Sequence, residues 1–179
     1  MSNYLSSKYD RPMELQTLLD DTMAGWARER PDLDFTVMGT FLRLGLLSTV
    51  GVRALEDALA THDLNLGEFD VLAALRRSGS GTAVTPSTLA KVAMVSPGGM
   101  TNRLDRLERA GLIERRPDPS DRRGSLVRLT RRGRSVADRG IETVLSTQAA
   151  LAAGIPAAER ARFDATLDKL LARLDQPDR

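Results

Sequence analysis

Apolar positions recur at helical spacing along most of the chain. Between Glu14 and Arg30 they fall at Leu15, Leu18, Leu19, Met23 (off by one from Thr22) and Trp26, and Pro31 closes the segment. Asp34 is placed to cap a second helix running to about Thr61, with a broad stripe of Val37, Met38, Phe41, Leu42, Leu44, Leu47, Val50 and Leu55. Gly39, Gly45 and Gly51 repeat every six residues within it. Glycine lowers helix propensity, so the close approach of another helix is the expected reason for them. Asn65 with Glu68 resembles a capping box for a third helix through Arg77, whose inward residues are Leu66, Phe69, Leu72 and Leu75.

After the loop Ser78-Gly79-Ser80-Gly81, two start signals share one grammar. Thr85-Pro86 and Ser96-Pro97 are each a hydroxyl cap followed by proline at the first helical position. They predict a short helix from Pro86 to Ala93 and a longer one from Pro97 to Ala110, stopped by Gly111. Leu112–Arg116 and Ser125–Leu129 read as short strands, joined by a polar turn over residues 117–124 that is tipped by arginine. Thr130 caps a further helix to about Ala153, and Pro156 opens a last one with Phe163, Leu167, Leu170, Leu171 and Leu174 on one stripe. The pattern predicts a mainly α (α+β) fold, with a helix-turn-helix and a β-hairpin between helical ends.

Composition narrows the chemistry. The 179 residues carry 26 Lys+Arg against 24 Asp+Glu, one His and no Cys. The lack of cysteine excludes disulfides, thiolate metal sites and thiol redox sensing, and fits a reducing cytoplasm. The lone His62, expected in a solvated loop, leaves no His-based metal cluster. No nucleophile–base pair and no phosphate-binding glycine loop with its lysine is present, so no enzyme and no cofactor is expected. The longest uninterrupted apolar runs, such as Val71–Leu75, are five residues, which predicts no membrane span.

The charge is unevenly spread. Residues 96–135 hold eleven Arg, no Lys and five Asp+Glu, a balance of +6, which leaves −4 on the remainder. A basic block on a mildly acidic body points to a polyanion. Within it, Ser96, Gly98 and Gly99 leave a helix N-terminus open toward a phosphate. Thr101, Asn102, Arg103 and Arg106 follow, and Asn and Arg carry forks suited to adenine and guanine edges. In the hairpin, Arg122 and Arg123 could enter a narrow minor groove, with Asp121 holding the Arg123 guanidinium.

The stretch from Leu89-Ala90 through Ser96–Arg116, Asp118–Arg123, Val127–Thr130 and Gly133 closely resembles MarR-family winged helix-turn-helix regulators, over roughly residues 35–175. The resemblance implies a homodimer on a pseudopalindromic operator in double-stranded DNA, with the end helices as the dimer interface. It divides the chain into an N-terminal extension (1–33), a dimerisation region (34–62 and 131–179) and a winged lobe (63–130). It also places the wing Arg123, beside Asp121, in the minor groove.

A narrower resemblance is to the urate-responsive subgroup, which carries an added N-terminal helix and a four-residue signature. The matching positions are Trp26, Asp70, Arg103 and Arg115. They imply a repressor released by urate or a related small anion. Two arginine forks and an aromatic wall suit a planar anion, while Asp70 could pair with an arginine or be repelled by the ligand. A DNA-binding architectural protein without an effector is the alternative.

Overall fold

The computed structural model describes residues 12–79, 82–119 and 121–175, apart from the side chains of residues 12–14, Arg122 and Arg123. The chain forms two compact units, one ending at Leu66 and the other beginning at Gly67.

The first unit holds helices α1 (Pro12–Glu29) and α2 (Thr36–Leu59), followed by a 3-10 turn, Ala60–His62. Leu19 is buried, and the Met23 side chain lies over Gly39, 3.3 Å from where a Cβ would stand. Gly39 thus has the expected close approach. Gly45 and Gly51 face open space instead, so nothing in this chain explains them. Asp34 caps α2 from one position further out than expected. Phe35 is the boundary residue, and Asp34 Oδ1 accepts from the Thr36 N–H (2.9 Å) and hydroxyl (2.6 Å). Those bonds hold the Asp34 carboxyl below its ordinary pKa.

Most of the α2 stripe is not core within the chain: Val37, Phe41 and Leu47 are all more than half exposed. Thr36–His62, 27 residues, is long and apolar enough to cross a membrane by length and composition. This corrects the expectation from run length, which overlooked a helix whose apolar residues are dense but interrupted by Gly, Ser and Thr.

The second unit is built around α3 (Leu66–Arg77), α4 (Pro86–Val92) and α5 (Pro97–Arg109). Both proline starts form as the residues dictate: the Thr85 hydroxyl accepts from the Thr88 N–H and that of Ser96 from the Gly99 N–H, each at 3.2 Å. A side-chain cap of this kind contributes about 1 kcal/mol. The turn between α4 and α5 runs through Met94, which is almost fully exposed and left-handed (φ 49°), a conformation disfavoured outside glycine. Val71, Leu72, Leu75, Leu89, Met100, Leu104 and Leu107 are fully buried and form the core of the unit.

Gly111 (φ 68°) ends the helical run, and the hairpin follows as β1 (Ile113–Asp118) and β2 (Asp121–Leu129). The strands pair antiparallel from Ile113↔Leu129 to Pro117↔Ser125 and close at Asp118↔Asp121. They therefore run into what was expected as a turn over 117–124. A solvent-facing ribbon does not need apolar alternation to keep pairing, and Pro117, lacking an N–H, sits where the register shifts. Val84 adds a one-residue bridge to Val127, which periodicity did not reveal.

The hairpin is locked to α6 (Arg131–Leu151) at one point. The Thr130 hydroxyl donates to the Gly111 carbonyl (2.8 Å) and accepts from the Gly133 N–H (2.9 Å). A Cβ on Gly133 would lie 1.8 Å from the Leu112 carbonyl oxygen, so only glycine fits. The last helix, α7 (Ala157–Leu174), exposes Phe163, Leu171 and Leu174.

Gly133→Ala should therefore cost about 2–3 kcal/mol in urea unfolding, the range of an overpacked core. Gly98→Ala, where a Cβ meets nothing within 4 Å, should lie within about 1 kcal/mol of wild type. Equal stability of the two variants would contradict the close approach.

Candidate nucleic-acid interface and anion site

Helix α5 presents two faces. Met100, Leu104 and Leu107 anchor it in the core, while Ser96, Gly98, Thr101 and Asn102 are exposed. The open N-terminus is narrower than expected. Pro97 has no N–H, Gly99 donates to the Ser96 hydroxyl, and Met100 donates to the Ser96 carbonyl (2.9 Å). Gly98 is left as the first-turn N–H without a capping acceptor among the described residues.

The two arginines expected to point outward from α5 turn toward the first turn of α3. Arg103 is half-buried, its Nη1 donates to the Gly67 carbonyl at 3.3 Å, and its guanidinium lies within 2.6–2.8 Å of where a Gly67 Cβ would stand. The absence of a side chain at Gly67 is what admits it. Asp70 is the nearby carboxylate: burial pushes its pKa up, against the opposing pull of the Arg103 and Arg77 charges. Arg106 Nε forms an ion pair with Glu68 Oε1 at 2.9 Å, with 59% of the Arg106 side chain exposed but only 9% of Glu68. Glu68, read from sequence as a capping-box residue, thus also serves the neighbouring helix.

Arg115 leaves β1 toward the opposite charge pattern on α5. Its Nη2 pairs with Asp105 at 2.5 Å, its Nε lies 3.4 Å from Glu108, and its backbone N–H donates to Glu108 at 3.3 Å. The Nε is buried and makes no hydrogen bond within the described residues. The spacing of Asp105 and Glu108, three residues apart on one helix face, was the available signal for this pairing.

Of the four signature positions, Asp70 and Arg103 come together, and Arg115 engages the carboxylates of α5. Trp26 belongs to the other unit. It stacks on Phe35 with ring centroids 5.7 Å apart and lines a shallow groove with Asp21, Gly25 and Glu29.

On the wing, Asp121 is exposed at the start of β2, and Arg122 and Arg123 follow on the same strand. At its base, Arg128 and Arg116 flank Glu114, and the Arg128 hydrogen bond holds the Glu114 carboxyl below its usual pKa. Beside this base lies a cleft of about 270 Å³ that sequence reading missed, lined by Arg76, Glu114, Arg128, Arg131 and Arg134 among others. Arg76 is paired with Asp138 at 2.7 Å. Among the described residues no three His, Asp or Glu side chains converge as a metal would require.

A family profile described as the MarR family matches residues 62–124. The transcriptional regulator PecS of Dickeya dadantii is 39% identical over 127 residues, covering 69% of this chain and 75% of PecS. The multiple antibiotic resistance protein MarR of Salmonella typhimurium is 41% identical over 86 residues, covering 48% of this chain and 58% of that protein. A mutant of Escherichia coli MarR, solved in complex with operator DNA, superposes with a TM-score of 0.67 at 32% identity. That match covers 76% of this chain and 97% of the other. The mainly helical architecture with a two-stranded wing is that of these structures.

A carboxyl whose folded pKa is raised favours the fold below its unfolded pKa, and that contribution is lost as pH rises through the folded pKa. Asp70→Asn should therefore melt at or above the wild-type temperature at neutral pH, with the difference shrinking as pH falls below the ordinary carboxylate range. A variant less stable at neutral pH, with no pH dependence in the difference, would show that pairing with Arg103 outweighs burial.

Proposed function

The chain belongs to the MarR family, and on that footing we propose that it is a DNA-binding transcriptional regulator, a repressor that leaves its operator when a small anion binds. The observation that carries the DNA half is α5, set on a buried apolar face with Thr101 and Asn102 exposed and followed by a wing whose second strand carries Arg122 and Arg123. A short helix held at this depth, followed by a basic ribbon, suits a major groove and the adjoining minor groove.

Dimerisation is supported by apolar surface. Val37, Phe41 and Leu47 on α2, and Phe163, Leu171 and Leu174 on α7, are exposed in the single chain. A second copy would cover them and set two α5 helices about one turn of DNA apart, roughly 10 base pairs. The protein should therefore sediment as a dimer and bind a selected duplex at two protomers per site. Arg123→Ala should weaken that binding and lower the log–log salt slope by about 0.9 for each phosphate no longer neutralised. A stable monomer at micromolar concentration, or an Arg123→Ala variant with unchanged affinity and slope, would contradict the reading.

The anion half is supported by Arg115. Its guanidinium is partly buried, keeps an Nε without a hydrogen bond, and is held by two carboxylates of α5. An anion that takes this guanidinium competes with Asp105 and Glu108, and so loosens the link between β1 and α5. Only a difference in anion affinity between the two arrangements is needed to shift the protein off DNA. Urate is the probe that follows from the four-residue signature, with Trp26 as the aromatic member.

Urate, or failing that a small tricarboxylate, should release the protein from the selected duplex. Arg115→Ala should raise the concentration needed by about tenfold or more, the worth of a charged hydrogen bond, while largely keeping DNA affinity. Trp26 fluorescence should change over the same range. Equal sensitivity in wild type and variant, with unchanged emission, would show that Arg115 and Trp26 do not form the site, and no release by either anion would leave the architectural alternative.

A further inference from the structure

We propose that Glu68 is a positioning residue for sequence reading: its buried carboxylate pairs with the Arg106 guanidinium and restrains an otherwise exposed arginine on the face of α5. The inference rests on the reading of α5 as the helix that meets DNA. Glu68 itself is too buried to touch a duplex, with its side chain 9% exposed, so any effect it has on binding must pass through another residue. A charged carboxylate at that depth needs a cation, and Arg106 supplies it at 2.9 Å. The arginine, in contrast, remains 59% exposed.

An arginine presents a guanine edge with a bidentate fork. An ion pair whose closest approach is at Nε restrains the guanidinium while more than half of the side chain stays exposed for that contact. An unanchored exposed arginine would lose its rotamer freedom only on reaching DNA, whereas this one has lost it in the folded protein. A phosphate accepts a cation from many directions, while a base edge accepts a fork from few. Anchoring therefore serves selectivity more than total affinity.

A second contact points the same way. Arg103, one turn earlier on the same face, bonds the carbonyl of Gly67, the residue next to Glu68. Both arginines thus dock on one turn of α3, beside the face of α5 that its buried Met100, Leu104 and Leu107 turn inward. The position of Glu68 in the first turn of α3 also places its charge at the favourable end of that helix.

The test compares a duplex selected from random sequence with a scrambled duplex of equal length, using the full-length protein. Glu68→Ala should lose about tenfold or more of the wild-type selectivity for the selected duplex, within the range of one bidentate base contact. Its binding to the scrambled duplex and its salt slope should be unchanged, because the Arg106 charge is still present. Glu68→Gln, whose carbonyl can still accept from Nε, should recover most of the selectivity and serves as the test if the alanine variant does not fold. On an Arg106→Ala background, either change at Glu68 should have no further effect on selectivity. A merely structural role would instead lower both affinities together with thermal stability, and would add to Arg106→Ala. Wild-type selectivity in folded Glu68→Ala, or additivity with Arg106→Ala, overturns the proposal. A wild-type protein that binds neither duplex would overturn the DNA reading beneath it.

Discussion

The orientation of α5 depends on charge taken from two neighbours of opposite sign. Arg103 and Arg106 reach to the first turn of α3, where a carbonyl and a buried carboxylate receive them, while Asp105 and Glu108 receive Arg115 from β1. The buried Met100, Leu104 and Leu107 fix how deeply the helix sits. That stripe sets which face of the helix turns inward. Charged contacts on both flanks add directional restraint to it. Everything asked of α5 as a reading element, and of β1 as a support for the wing, follows from this arrangement.

Under the proposed function, the same arrangement would make the helix sensitive to anions. A guanidinium bonded to protein carboxylates is in equilibrium with any other acceptor of suitable shape, and Arg115 keeps a buried nitrogen unsatisfied in the state seen. On the other flank, partial desolvation raises the Asp70 pKa against the opposing pull of Arg103 and Arg77. An incoming anion would add negative charge where Asp70 already resists it. Displacement of one carboxylate pair is a local event, but the pairs on α5 share one rigid helix. The tilt of the whole element would therefore be the quantity that responds to the proposed effector.

Much of the fold was legible because it is written in local grammar. Thr85-Pro86, Ser96-Pro97, Gly111 and Thr130 mark element ends through bonds within three or four residues, and the structure forms those bonds. What the sequence did not disclose depends on residues distant in the chain. The inward turn of Arg103 requires the missing side chain of Gly67, 36 positions away, and Glu68 had a sufficient local explanation as a cap. The extent of the hairpin was hidden because a ribbon exposed on both sides carries no apolar alternation. Trp26 was legible as an aromatic on an amphipathic helix, and the stack with Phe35 accounts for it within its own unit.

The apolar stripes raise a different question of legibility, since density of apolar residues does not say what covers them. By length and composition α2 would suit a lipid bilayer. Its details suit protein better. Arg43 bonds the Gly39 carbonyl (2.9 Å), and Arg53, Glu56 and Asp57 add charge toward the other end, which a bilayer core disfavours. Helix α7 exposes Phe163, Leu171 and Leu174 yet alternates them with Arg160, Asp164, Asp168 and Lys169, a charge pattern no bilayer span could carry. Two helices with matching stripes, of which one cannot enter a membrane, are more economically explained by one kind of cover than by two. The proposed dimer would provide that cover for both.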